Sequence, residues 1–214
     1  MSPDTLLEKL IFSTQMLVRN DGQMSNAECF INFFAEGYEG YREEIWKRFI
    51  RFYETEFDEF KSLVSVPPGV REVFLRLKKM GVKLVIASNP IWPLIVQMKR
   101  LSWAGIGDLH FELVTHIENM SYCKPRIEYY LEICQKIGEK PDTCLMVGND
   151  PVNDLVVTRI GMKTFLVTDG AELDGSALEL SRSIRDDTAI EIPTPDFKGG
   201  LSEVPDAVEA LLKA

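Results

Sequence analysis

The stretch Met146-Val147-Gly148-Asn149-Asp150-Pro151-Val152-Asn153-Asp154 decides how the chain is read. An apolar run gives way at Gly148 to a polar turn with carboxylates, and Pro151 suits the start of a helix. Two other stretches have a related form. Val82-Lys83-Leu84-Val85-Ile86-Ala87 is a short apolar run with β-branched residues, followed at once by Ser88-Asn89. Cys123-Lys124-Pro125-Arg126-Ile127-Glu128-Tyr129-Tyr130 sets a lysine immediately before a proline suited to open the next helix. In an open parallel sheet the ligand site lies beyond the carboxyl ends of the strands. A hydroxyl, an ammonium and a carboxylate cluster are therefore expected to face one crevice.

Working outward, residues 67–214 alternate strands and helices. Val70, Val73, Phe74 and Leu77 follow helical spacing up to Gly81, residues 82–87 read as a buried strand, and a helix spans residues 93–102. A strand at 113–115 follows, then a helix whose core face is marked by Ile127, Tyr130, Leu131 and Cys134 and which Gly138 closes. Strands at 144–147 and 164–168 flank a short helix from Asn153 to Gly161. Residues 189–192 suggest an edge strand stopped by Pro193, and Val208, Leu211 and Leu212 a closing helix. This pattern predicts an α/β fold, a Rossmann-like three-layer core around a parallel sheet with right-handed crossovers. Residues 1–66, before the break at Pro67-Pro68-Gly69, read as helices only. Ser2-Pro3 starts the first, Asn20-Asp21-Gly22 is a turn, Ser25 and Glu28 form a capping box, and a ring-rich helix covers residues 41–63. Its aromatics read as helix–helix packing.

The net charge of −9 argues against a nucleic-acid groove or an anionic membrane surface as partner. No apolar run is long enough to cross a bilayer. The four cysteines form no CxxC pair, and the two histidines share no metal-ligand spacing with them. Zinc is not expected; reduced thiols and a cytoplasmic location are. Oligomeric state is left open.

Each candidate residue carries two readings. Ser88, with the backbone of Asn89, can donate to a phosphate oxygen or can cap a helix before Pro90. Lys124 opposes a helix dipole, which makes sense if it holds an anion, or it is an exposed lysine. Asp150 and Asp154 suit Mg²⁺, a hard ion that takes oxygen ligands and substrate phosphate. Alternatively Asp150 or Asn153 caps the helix while Asp154 complements its dipole.

Taken in order, these three motifs resemble those of the haloacid dehalogenase superfamily of phosphohydrolases, over about residues 67–170. Residues 85–89 are similar to its second motif, with Ser88 as the phosphate-binding hydroxyl. Lys124 matches its third, a lysine that steadies the nucleophile and the transferring phosphoryl group. Residues 148–154 resemble its acidic metal-binding motif, although Asn149 stands where an acid commonly follows the glycine. The resemblance thus implies Ser88 and Lys124 as catalytic, Ser88, Asn89 and Lys124 as phosphate-binding, and Asp150 and Asp154, with Asn149 as a third candidate, as Mg²⁺ ligands. It implies a helical cap over residues 1–66, a core over residues 67–214, and a Mg²⁺-dependent phosphatase acting on a small phosphorylated metabolite through an aspartyl-phosphate. By the same resemblance, the turn at Asn20-Asp21-Gly22 reaches toward substrate or is a plain turn. Carbon–halogen hydrolysis is the variant that the acids at 150 and 154 argue against.

The family's first motif, an apolar strand ending in Asp-x-Asp that supplies the nucleophile and the general acid/base, has no counterpart here: no Asp-x-Asp occurs in residues 1–214. That strand lies, in the family, between those leading to Ser88 and to Asp150. Strands pair at about 4.8 Å, so without it these neighbours are expected roughly 9–10 Å apart, or collapsed together. The central first strand is thus expected to be missing, lost with an N-terminal segment, and this chain alone to be inactive. A non-catalytic phosphate-binding or regulatory pseudoenzyme is the other reading.

Overall fold

The computed structural model describes residues 2–169 and 192–213. Three helices come first: α1 (Pro3–Val18), α2 (Asn26–Phe34) and α3 (Arg42–Thr55). Ser2 caps α1 with Pro3 in its first turn, and Ser25 and Glu28 close the expected capping box on α2. The ring-rich helix is shorter than its sequence suggests. It ends at Thr55, and a 3₁₀ segment, Phe57–Leu63, follows. The tighter turn sets Phe57 against Trp103, with ring centroids 5.4 Å apart and stacked, a contact that outweighs continued α-helix. Phe49 packs between helices as expected, meeting Phe30 at 5.4 Å and Phe34 at 4.8 Å, both edge-on, whereas Phe52 and Phe60 are 43% and 44% exposed and meet rings of their own segments.

The alternating part contains α4 (Val70–Lys79), β1 (Val85–Ile86), α5 (Leu94–Trp103), β2 (Leu113–Val114), α6 (Ile127–Ile137), β3 (Leu145–Gly148), α7 (Pro151–Asp154), β4 (Lys163–Val167), β5 (Phe197–Gly199) and α8 (Val204–Lys213). All pairings are parallel. β1 pairs with β2, and β3, β4 and β5 pair in that order; among the described residues no ladder joins β1 to β3. The buried strand expected over residues 82–87 is thereby reduced to Val85–Ile86, half-buried, because a ladder partner exists on one side only.

Burial nevertheless unites the two leaves. Val85 and Ala87 share a cluster with Met146 of β3 and with Tyr129, Tyr130, Ile133 and Cys134 of α6. Val82 and Leu84 share another with Leu145 and Val147, and with Val73 and Leu77 of α4 and Ala207 of α8. The period-2 alternation of side chains along each strand thus supplies both faces, giving helix, sheet and helix layers. A third cluster joins Leu17, Phe30 and Phe34 of the first helices to Ile117, Cys123 and Ile91 in loops after β2 and β1.

Several expectations shift. Leu131 is 43% exposed, while Tyr129 is wholly buried. The stripe rotates because the Tyr129 hydroxyl has polar partners inside. Helix α6 begins at Ile127 with Arg126 as its cap, so Pro125 lies outside it rather than at its first position. The helix expected from Asn153 starts at Pro151, where Asp150 can cap it. Strand β5 was not foreseen. The edge strand expected at residues 189–192 lies outside the described residues except Ile192, which is not in a strand. Leu212 is 61% exposed and contributes nothing to the core.

Candidate active site

Three loops converge at the carboxyl ends of β1 and β3. Ala87, Ser88, Asn89, Lys124, Gly148, Asn149, Asp150, Asn153 and Asp154 line one cleft of about 280 Å³, floored by Met146 and Val147. Every residue singled out in the sequence as phosphate- or metal-binding is on its wall.

Ser88 does not cap a helix, since the next one starts at Leu94, whose N–H donates to the Glu118 carboxylate at 3.1 Å. Its carbonyl is held from behind: the Thr115 hydroxyl donates to it at 2.6 Å and the Tyr129 hydroxyl at 2.8 Å. Among the described residues, the Ser88 side chain has only a long contact with the Arg100 guanidinium, which donates to its hydroxyl at 3.5 Å. Asn89 joins the first loop to the second, its Oδ1 accepting from the Lys124 N–H at 3.2 Å.

Lys124 is not an exposed lysine. Its side chain is 8% exposed and its Nζ lies 2.7 Å from Asp154 Oδ1, whose own side chain is 7% exposed. A carboxylate, rather than a helix terminus, is therefore its partner. The other oxygen of Asp154 accepts from the Asp150 N–H at 3.1 Å. Gly148 makes room for this: a Cβ there would sit 2.0 Å from Asp154 Oδ2, a distance real contacts never show.

Asp150 caps α7, its Oδ1 accepting from the N–H groups of Val152 and Asn153 at 3.0 and 3.1 Å. Its Oδ2 accepts from the Asn153 amide at 2.7 Å. The helix-cap reading of Asp150 is realised, whereas Asp154 serves an ion pair instead of the dipole.

The donor chemistry fits a hard cation. Asp150, Asp154, Asn149 and Asn153 offer oxygens to one cleft with no thiol or imidazole among them. Among the described residues, Asn153 Oδ1 is buried without a hydrogen-bond partner. Among the described residues no group of three or more His, Cys, Asp or Glu is arranged around a point. Mg²⁺ commonly takes only one or two carboxylates and keeps its waters, so the set suffices.

The turn at Asn20-Asp21-Gly22 is a plain turn and does not line the cleft. The Asn20 side chain is 6% exposed and donates to Met24 O at 2.9 Å and Asn26 Oδ1 at 3.0 Å. Gly22, at φ +89°, packs so closely on Tyr122 that a Cβ would fall 2.1 Å from its hydroxyl. The α2 start is bonded to the loop before Lys124, with Asn26 N–H donating to Met120 O at 2.8 Å and Ala27 N–H to Ile117 O at 2.9 Å. Sequence reasoning missed Thr115, Tyr129 and Tyr130. The two tyrosines sit in the quoted lysine motif, and adjacent polar-tipped rings were the available signal.

Comparison with known proteins gives concordant results. The family model of the haloacid dehalogenase-like hydrolases matches residues 19–156. Hexitol phosphatase B of Escherichia coli O157:H7 is 25% identical over 158 residues, which cover 74% of this chain and 68% of that protein. Glyceraldehyde 3-phosphate phosphatase of Methanothermobacter thermautotrophicus is 34% identical over 107 residues, half of this chain and 46% of that protein. Among solved structures, L-2-haloacid dehalogenase from Xanthobacter autotrophicus superposes with a TM-score of 0.57 at 18% identity, over 96% of this chain and 84% of that one. That likeness speaks for the fold alone. The family match spans well over half of the chain and takes in all three loops of the cleft, so the chain belongs to the haloacid dehalogenase-like hydrolases.

Proposed function

We propose that the cleft holds the phosphoryl group of a small phosphorylated metabolite together with Mg²⁺, as part of a phosphomonoester hydrolase with residues 1–66 as helical cap and residues 67–214 as core. The observation that carries this reading is the meeting of Ser88, Asn89, Lys124, Asp150 and Asp154 on one small cleft. The curated relatives support it, since those named above are phosphatases.

Charge explains why a cation belongs to the reading. The cleft wall carries two carboxylates, Asp150 and Asp154, and one ammonium, Lys124. A phosphate dianion entering alone meets repulsion. Bound Mg²⁺, held by Asp150 and Asp154 with Asn149 or Asn153, supplies the missing positive charge. Ser88 and the Asn89 N–H would donate to phosphate oxygens, and Lys124 would offset phosphoryl charge. The attacking carboxylate, which the family carries in Asp-x-Asp, is not found in residues 1–214. This chain's own residues therefore bind and orient phosphate without displacing its ester.

Titration of inorganic phosphate by calorimetry, with Mg²⁺ and then with chelator, tests the reading. Binding is expected with Mg²⁺, weakened at least tenfold by chelation or by Lys124→Ala, alongside no turnover of p-nitrophenyl phosphate. Phosphate binding indifferent to both changes would refute the site. Turnover abolished by Asp150→Asn would instead place the nucleophile within this chain. The same missing Asp-x-Asp, with Asn149 in the place of an acid, favours a second reading, a non-catalytic phosphate-binding protein. Turnover would remove it.

A further inference from the structure

Tyr129 and Tyr130 are neighbours on α6, about 100° apart around its axis. Both are buried, at 0% and 2% exposed, as are Ile133 and Cys134 one turn further on. Their rings meet edge-on, with centroids 4.9 Å apart and planes at 85°. Each hydroxyl reaches a different loop of the cleft. Tyr129 donates to the Ser88 carbonyl at 2.8 Å, and Tyr130 donates to the Asn153 carbonyl. Lys124 Nζ, from the third loop, lies 5.9 Å from both ring centroids.

The sheet gives these contacts their importance. The Ser88 loop follows β1 and the Asp150–Asp154 turn follows β3, and no ladder among the described residues fixes the distance between those strands. We propose that Tyr129 and Tyr130 are positioning residues: one hydroxyl holds the Ser88 loop, the other holds the Asp150–Asp154 turn, and the paired rings seat Lys124 between them. The proposal rests on the reading of this cleft as a phosphate site, and assigns its alignment to one turn of α6.

Tyr129→Phe and Tyr130→Phe each remove a single oxygen and keep the ring. Phosphate affinity is read by calorimetry at saturating Mg²⁺, with urea unfolding in parallel. Each single variant is expected to bind phosphate roughly threefold to tenfold more weakly, the yield of one net hydrogen bond, and the double variant more weakly still. Ile137→Val, in the last turn of the same helix, in the same cluster and not among the residues lining the cleft, is the structural control: it lowers stability and leaves affinity unchanged. If wild type binds phosphate and both Phe variants match it, the positioning role is wrong while the cleft reading stands. An equal affinity loss in Ile137→Val would reduce the effect to general loosening and overturn the proposal. If wild type fails to bind phosphate with Mg²⁺, the cleft reading itself falls. Should the double variant not fold, the single variants decide.

Discussion

A lysine and an aspartate buried to 8% and 7% exposure are each costly to desolvate, and only their mutual contact at 2.7 Å makes the arrangement tolerable. Removing one partner leaves a bare charge in the interior. Asp154→Asn is therefore expected to lower unfolding free energy by about 3 kcal/mol in urea titration, and the double variant Lys124→Met with Asp154→Asn to recover most of it. An unchanged midpoint in Asp154→Asn would show that the pair contributes nothing to stability. At this scale much was legible. Ser88, Lys124, Asp150 and Asp154 stood out because residue types with phosphate and metal chemistry recur just past apolar runs. Their division of labour was not legible. Asp150 and Asp154 are four residues apart in one turn, and only coordinates separate the cap from the ion pair. Tyr129 and Tyr130 were hidden because an amphipathic pattern records ring carbon and says nothing of where a hydroxyl points.

Among elements, α4 is fastened to the turn after α5 by Arg71, whose guanidinium meets both oxygens of Asp108 at 2.6 and 2.8 Å and the Gly105 carbonyl at 2.6 Å. The Arg71 charge and hydrogen bonds hold the Asp108 carboxyl at about 2, against an ordinary 3.8. A depressed acid stabilises the fold where it is ionised in both states, and that contribution fades as pH falls. Wild type should thus exceed Asp108→Asn slightly in thermal stability at neutral pH, and the gap should close as pH drops from 3.8 to about 2. A gap that persists at the acid end would sink the assignment. Helix starts were the most readable elements, because Ser2-Pro3 and the Ser25–Glu28 box act within one turn of chain. Helix interiors and strand lengths depend on distant partners. The chain leaves the α-helix after Thr55 to stack Phe57 on Trp103, and β1 keeps two residues because, among the described residues, only β2 pairs with it. Strand β5 has no alternating signature of its own; it is held by pairing with β4 and by Asp196, whose Oδ2 accepts from Thr164 N–H and its hydroxyl, both at 3.0 Å.

Among the described residues, two sheet leaves share their apolar faces but not a hydrogen-bonded seam. The layer order was readable from the alternation of strands and helices; the separation into leaves was one of two arrangements that the resemblance implied, the other being collapse of the neighbours onto each other, and no residue in β1 or β3 decided between them. Unequal stability should follow. β3 pairs with β4 from Leu145 opposite Lys163 to Gly148 opposite Leu166, and β4 pairs again with β5. The other leaf has Val85 opposite Leu113 and Ile86 opposite Val114, with backbone bonds from Glu112 N–H to Leu84 O and Thr115 N–H to Ile86 O at its ends. Local opening follows the weaker network, and sub-global units commonly coincide with such motifs. Native-state hydrogen exchange should accordingly show the amides of Glu112 and Thr115 exchanging through an opening of lower free energy than those within β3 and β4. The loop that carries Ser88 opens with the weaker leaf, so phosphate and Mg²⁺, which bridge both leaves under the proposed function, should slow exchange at Thr115 more than at β4. Equal protection across both leaves, before and after phosphate, would mean that the helical layers alone lock the sheet and that the seam has no mechanical consequence.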